Sequence, residues 1–219
     1  MGSLWAEAQG HVASELGLPD PTTVSFSSNT HDFLLRIIFA IDRADGVPIR
    51  VLSTDGEFHS FRRQMTRWVE SGKVVWDSVA PDALAATAAV GNYDLVFASH
   101  VLFNSGAIID IEPLAELAQP DGPWVIIDGY HGFMATPTDL SNVADQIFYL
   151  AGGYKYAMAG EGVCFLHAPP GFAPRPEVTG WYAEFDDLAL PPDSVGYAPD
   201  GRRFLGSTFD PSGLYRFCA

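Results

Sequence analysis

Apolar and polar positions follow two alternating patterns along the chain. Seven short runs of apolar, largely β-branched residues, each followed by a turn signal, predict β-strands. Four segments between them carry apolar residues at helical spacing and predict α-helices. The strands are predicted at residues 23–28, 49–54, 73–79, 94–103, 124–130, 145–152 and 162–169, and the helices at residues 30–44, 57–71, 81–90 and 111–119.

This alternation predicts a three-layer α/β/α fold with a mostly parallel sheet that is covered on both faces. The run at 162–169 follows its predecessor after a short glycine-rich connection, so we expect this one strand to be antiparallel. From about residue 170 to 219 the chain becomes proline-rich, and it is predicted to be extended and dominated by loops. We therefore expect a single domain over residues 1–219.

Composition narrows the classes of partner. The chain is 47% hydrophobic and 18% charged, which is typical of a soluble globular protein. Its net charge is −15 and no basic cluster exceeds a pair, which argues against nucleic acid and membrane as partners. Cys164 and Cys218 form neither a metal-binding motif nor a disulfide framework. With no export signal or apolar span in the sequence, we expect a cytoplasmic protein without a metal site.

Polar residues at the ends of predicted strands are the first candidates for chemistry, because ligands of open α/β sheets bind beyond the carboxyl ends of the strands. Asn29 and Thr30 follow one strand and lead into an apolar helix, whose first N–H groups would bind a phosphate. Ordinary helix capping would explain the same two residues. Ser99 and the adjacent His100 end another strand, where a structural role is the alternative.

Two further strand ends carry charged groups. Asp128 ends an apolar strand with His131 three residues on, and a carboxylate buried there needs a cationic partner. Lys155 follows two glycines and lies between two tyrosines, an unusual setting for a surface lysine. A helix start for a phosphate, a carboxylate for a ring nitrogen and a lysine for an aldehyde are the three groups that pyridoxal 5′-phosphate (PLP) requires.

Several stretches in family order carry a resemblance that covers nearly the whole chain. They are SSNTHDF, DGEFHSF, SHVLFNSG, IIDGYHGFMATPTDL, GGYKYAMAGEGVCFL and GWYAEF. The chain thereby resembles the class V aminotransferase family of fold-type I PLP-dependent enzymes, and within it most resembles the kynureninases. Members of this family are about twice as long, so the resemblance implies the PLP-binding large domain of a chain that is truncated at both ends.

The resemblance implies roles around the cofactor ring. Lys155 would form the aldimine with the cofactor aldehyde and then move protons on the substrate. Asp128 would pair with the ring nitrogen, His131 would lie near the phenolic oxygen, and Phe58 would stack on the ring face.

The resemblance also implies a phosphate site and a dimer. Asn29, Thr30 and the hydroxyl of Tyr154 would hold the phosphate, and Ser99 is a weaker candidate for a cofactor contact.

In a homodimer with active sites at its interface, Trp181 would reach the neighbouring phosphate and Thr208 would do the same. Tyr182 would contact the substrate, and each of these three residues could instead be a packing or turn residue.

The reaction so implied is hydrolytic cleavage of the Cβ–Cγ bond of a kynurenine-type amino acid through the Lys155 aldimine. Three departures leave the substrate open: Ala183 and Glu184 replace a glycine and a histidine, Phe61 replaces an acidic residue, and Phe103 stands where relatives often have a polar group. The alternatives are a class V aminotransferase, a cysteine desulfurase-type lyase, and a catalytically inactive large-domain fragment or scaffold.

Overall fold

A computed structural model of the chain describes residues 2–44, 46–188, 191 and 193–219. Seven strands form one sheet: β1 (Val24–Ser27), β2 (Ile49–Thr54), β3 (Val74–Val79), β4 (Leu95–Ser99), β5 (Trp124–Asp128), β6 (Ile147–Gly152) and β7 (Cys164–His167). The described α-helices are α1 (Gly2–Leu16), α2 (Thr30–Ile38), α3 (His59–Glu70), α4 (Leu84–Val90), α5 (Glu112–Ala115) and α6 (Ser212–Phe217).

The strand order is β1-β7-β6-β5-β4-β2-β3. Strands β2 to β6 are parallel to one another, whereas β7 is antiparallel to both of its neighbours, β1 and β6. The short connection from β6 to β7 contains no helix that could carry the chain back across the sheet, so β7 must run in the opposite direction. The predicted fold class, with one antiparallel strand, is confirmed.

Two apolar clusters cover the two faces of the sheet. One cluster packs α1, α4 and α5 against the face of Val96 and Val125. The other packs α2 and α3 against the opposite face, which carries Phe97, Ile126 and Phe148. Strands β4, β6 and β7 are buried at every position, which explains why their sequences are continuous apolar runs rather than alternating patterns.

The structure differs from the sequence predictions at several elements; the helix predicted at 30–44, for example, ends as α2 at Ile38. Helix α1 was not predicted, because Ala8, Gln9 and Ala13 are three of its five buried residues and give a weak apolar pattern. The strand predicted at 94–103 ends at Ser99, beyond which Val101 forms only an isolated bridge with Ile108. The helix predicted at 111–119 is confined to α5.

The segment 170–219 is less extended than predicted, because it contains α6 and 3-10 turns at Trp181–Asp187 and Gly201–Phe204. Residues 189, 190 and 192 of this segment lie outside the described residues. Over the described part of the chain, we find no helix with both the length and the apolarity needed to cross a membrane.

Candidate functional site

A cavity of about 330 Å³ lies at the carboxyl ends of β5 and β6, beside the start of α2. This volume lies within the range of small-molecule sites in proteins. Seven residues that the sequence predicted as cofactor contacts line it together: Asn29, Thr30, Phe58, Asp128, His131, Tyr154 and Lys155. Residues up to 126 positions apart in the sequence thus meet because parallel strands end at the same edge of the sheet.

The start of α2 forms one wall of the cavity. Asn29 is the N-cap residue, with extended backbone angles, and its side-chain oxygen accepts a hydrogen bond from the N–H of Asp32 at 2.9 Å. The first turn of a helix has N–H groups without intrahelical partners and carries the positive end of the helix dipole. This wall is therefore suited to an anion such as a phosphate. Capping and anion binding, the two alternatives for Asn29, are compatible here.

Asp128, the last residue of β5, lies at the base of the cavity. Its Oδ1 accepts a hydrogen bond from the N–H of Tyr130 at 2.9 Å. The pKa of Asp128 is raised to about 7: burial is the largest cause and the charge of Glu57 adds to it, whereas the hydrogen bond from the Tyr130 N–H and the charge of Lys155 lower it. The ionised form of such a carboxyl group is stabilised by a cationic partner, for example a protonated ring nitrogen.

Lys155 lies three residues after the end of β6 and is partly buried. Its Nζ is 5.7 Å from the ring centroid of Tyr130 and 5.9 Å from that of Tyr154. The preceding turn is tight, since a Cβ atom on Gly153 would lie 2.7 Å from Cγ1 of Val163. Glycine at this position therefore allows the close approach of chains that brings Lys155 into the cavity.

An aromatic group lies at the mouth of the cavity. The ring of Phe58 is 5.3 Å from that of Phe103 and 5.9 Å from that of His131, between ring centroids. Burial and the nearby charge of Lys155 lower the pKa of His131, so its ring is neutral near pH 7. The mouth thus offers an apolar surface for a planar ring together with one neutral imidazole.

Sequence reasoning missed several residues that line the same cavity: Ser28, His31, Ser60, Tyr130, Glu161 and Cys164. Tyr130 had a visible signal, because it lies between Asp128 and His131 in the sequence. Cys164 is the first residue of β7 and is buried, and burial raises the pKa of its thiol to about 12. A thiol in that state is a poor nucleophile near pH 7.

Four predicted site residues lie outside this cavity in the single chain. Ser99 is buried behind it, and both its hydroxyl and its N–H donate to Glu57. Trp181 and Thr208 are exposed, and Tyr182 lines a second cavity, of about 430 Å³, against α1. The roles of these four residues toward a cofactor or substrate stay predictions.

Comparison with known proteins finds relatives over part of the chain. No family model matches. Isopenicillin N epimerase of Streptomyces clavuligerus is 36% identical over 125 residues, and that of Amycolatopsis lactamdurans is 33% identical over 140 residues. These matches cover 54% and 59% of this chain but only 31% of each epimerase. An uncharacterized aminotransferase of Bacillus subtilis, YcbU, is 27% identical over 111 residues, or 50% of the chain.

Solved structures match over nearly the whole chain. The cystine C–S lyase C-DES, in complex with cysteine persulfide, has a TM-score of 0.78 at 20% identity, and the match covers 99% of this chain and 59% of the lyase. The cysteine desulfurase CsdA of Escherichia coli has a TM-score of 0.78 at 15% identity, covering 99% and 56%. At these identities the matches establish the fold, which the chain shares with somewhat more than half of each of these proteins.

Proposed function

We propose that this chain is the PLP-binding large domain of an enzyme of the class V aminotransferase type that acts on an amino acid. The observation that carries this proposal is the convergence of Lys155, Asp128 and the start of α2 on one cavity. These groups match the three parts of the cofactor that need a partner: the aldehyde, the ring nitrogen and the phosphate. One structure of the same fold, a variant of C-DES, holds glycine covalently linked to PLP.

Each residue has a distinct part in this proposal. The amine of Lys155 would hold the cofactor through its aldehyde and would carry a proton to or from the Cα of the substrate. Asp128 holds a proton at the ring nitrogen, and the first N–H groups of α2 with the hydroxyl of Tyr154 bind the phosphate. Phe58 covers one ring face. When bound, PLP withdraws electrons from the substrate carbon, which stabilises a carbanion there.

The relatives favour proton transfer at Cα over the predicted kynureninase reaction. The relatives reported above are epimerases and an aminotransferase, and none of them is a kynureninase. Hydrolytic Cβ–Cγ cleavage is therefore supported only by the sequence resemblance. Within this chain, Cys164 is poorly suited to the nucleophilic role that a desulfurase reaction needs, because burial raises the pKa of its thiol.

A homodimer is part of the same proposal. Trp181 has an exposed ring, which contacts the rings of Tyr182 and Phe185 within the chain. An exposed aromatic group of this kind is available to a second copy of the chain.

The chain offers a matched test, because it contains two lysines, Lys155 and Lys73. The protein would be mixed with PLP, reduced with borohydride and digested, and the modified peptide identified by mass spectrometry. We expect the label on Lys155, its loss in Lys155→Ala, and its retention in Lys73→Ala. A label on Lys73 or on the amino terminus only, in a folded sample, would refute the proposal.

The reaction class calls for a second measurement. Exchange of the Cα proton of amino acids for deuterium, followed by NMR in the presence of PLP, reports proton transfer without requiring a complete reaction. We expect exchange with the wild-type chain and none with Lys155→Ala. Attachment of PLP without exchange would favour the inactive large-domain fragment.

A further inference from the structure

A second carboxyl group lies behind the cavity. Glu57 lies between β2 and α3 and is fully buried, with 0% of its surface exposed. Fully buried glutamates are rare in proteins unless their charge has partners. It is not among the residues that line the cavity, so a direct contact with a ligand does not explain it.

Donors converge on this carboxyl group. The hydroxyl of Thr54 donates to Oε1 at 2.6 Å, and the hydroxyl and N–H of Ser99 donate to Oε2 at 2.6 and 3.0 Å. Glu57 also lies just before the N-terminus of α3, where the helix dipole favours a negative charge. Burial raises the pKa of Glu57, and these donors counteract that effect. An arrangement in which the carboxyl group only accepts is the one that an ionised carboxylate requires.

Ser99 connects this group to the site. It pairs with Asp128 in the parallel register of β4 and β5, so the two side chains lie side by side on the same face of the sheet. The backbone supports the same alignment, because the N–H of His100 donates to the carbonyl of Asp128 at 2.8 Å. Two acids are thus held next to each other at the end of the sheet, and only Asp128 lines the cavity.

We propose that Glu57 is a positioning residue that acts through Asp128: its clamped negative charge favours a proton held between Asp128 and the ring nitrogen of the cofactor. This inference rests on the proposed binding of PLP. Thr54 and Ser99 serve to keep the second charge in place, which gives Ser99 a role without contact to the cofactor. The protonated ring nitrogen is the form that withdraws electrons most strongly.

Other titratable groups face Asp128 and must be considered with Glu57. Lys155 is the cation, and His100 and His131 have pKa values lowered by burial, so both are neutral near pH 7. Tyr130, Tyr149 and Cys164 also face it, and their pKa values are all raised by burial; the acid Glu161 lines the same cavity. Of these groups, Glu57 and Lys155 act on Asp128 through their charge, and they do so in opposite directions: Glu57 raises the pKa of Asp128 and Lys155 lowers it.

The variant Glu57→Gln keeps the shape of the side chain and removes its charge. In the protein without cofactor, the carboxyl carbon of Asp128 would be titrated by NMR and assigned with Asp128→Asn. We expect the pKa of Asp128 to be lower by about one in Glu57→Gln than in the wild type. The control Glu184→Gln alters a glutamate that accepts from the N–H of Gly196 in another part of the chain, and it should leave this pKa unchanged.

A fold defect is separated from the charge effect by Thr54→Val, which removes one donor and keeps the volume. It should raise the pKa of Glu57 and lower that of Asp128 by less than Glu57→Gln does. With PLP attached, the pH at which the bound cofactor changes its absorbance should also move downward in Glu57→Gln. Equal pKa values of Asp128 in Glu57→Gln and wild type would overturn the inference. Failure of the wild type to attach PLP would instead overturn the proposed function, and with it the role toward the ring nitrogen.

Discussion

The two lysines of the chain lie next to cavities at opposite ends of the same α/β layer. Lys155 lies at the carboxyl ends of the strands, beside the start of α2. Lys73 lies at the opposite end, in a groove of about 690 Å³ that includes Phe39 after the end of α2 and Ser71 after the end of α3. The groove has about twice the volume of the cavity at Lys155, but the helix ends beside it are not suited to an anion. They are C-termini, which present carbonyl groups and the negative end of the helix dipole.

The two lysines also have different surroundings. Lys73 is exposed, and its Nζ lies 5.8 Å from the ring centroid of Phe39. Lys155 is partly buried and shares its cavity with a buried acid of raised pKa, Asp128. Cavity size alone would select the groove at Lys73 over the cavity of the proposed site. The direction of the strands and helices decides which lysine meets an anion-binding wall and an acid, as in other open α/β sheets.

The largest effect on the free energy of unfolding is expected at a residue that both lines the cavity and belongs to the hydrophobic core. Phe61 is 3% exposed and stacks on Phe97 at 3.8 Å between ring centroids. Phe61→Ala should lower the free energy of unfolding by about 3 kcal/mol or more, measured by urea denaturation. Val47→Ala, at a groove position that is 48% exposed, should change it by less than about 0.5 kcal/mol. Similar losses in both variants would contradict the distinction between a built cavity and a surface groove.

A smaller effect is expected in the pH dependence of stability. Asp128 in the folded chain keeps its proton up to a pKa of about 7, whereas the unfolded chain releases it near the ordinary value of 3.8. Its contribution to stability is therefore present at low pH and is lost as the pH rises from about 4 to about 7.

Relative to the wild type, Asp128→Asn should gain about 2 kcal/mol more stability near pH 8 than near pH 4.5, in urea denaturation without cofactor. Asp42→Asn changes an exposed acid of the groove and should show no such difference. If the free energies of unfolding of Asp128→Asn and the wild type differed by the same amount at both pH values, the raised pKa of Asp128 would be contradicted.

The smallest effect is expected at the ends of α2 and α3. Asn29→Ala removes the side chain that caps α2 and should lower the free energy of unfolding by about 1 kcal/mol. Ser71→Ala, at the groove end of α3, removes one hydrogen bond to the carbonyl of Trp68 and should cost less. PLP affinity should fall only in Asn29→Ala. An equal affinity in both variants would argue against a phosphate at the start of α2.

Local sequence was sufficient for elements with a strong pattern. The run at 49–54 is β2 as predicted, because β-branched and apolar residues in a row need a buried strand. Helix α1 was not predicted because three of its five buried residues are Ala8, Ala13 and Gln9. These residues give little difference in hydrophobicity between the two faces of the helix. The strand at 94–103 was predicted too long, since local pattern does not show where hydrogen bonding to neighbours stops.

The sequence by itself determined the class of fold and predicted that Asp128 and Lys155 lie together, as they do in one cavity, because strand ends of a parallel sheet share one edge. Only the tertiary structure decided which buried side chains lie next to Asp128 on the side away from the cavity. Glu57 and Ser99 are 42 residues apart in sequence and meet because β4 pairs with both β2 and β5. Strand order is set by packing of the whole sheet between its helices, and no local pattern encodes it.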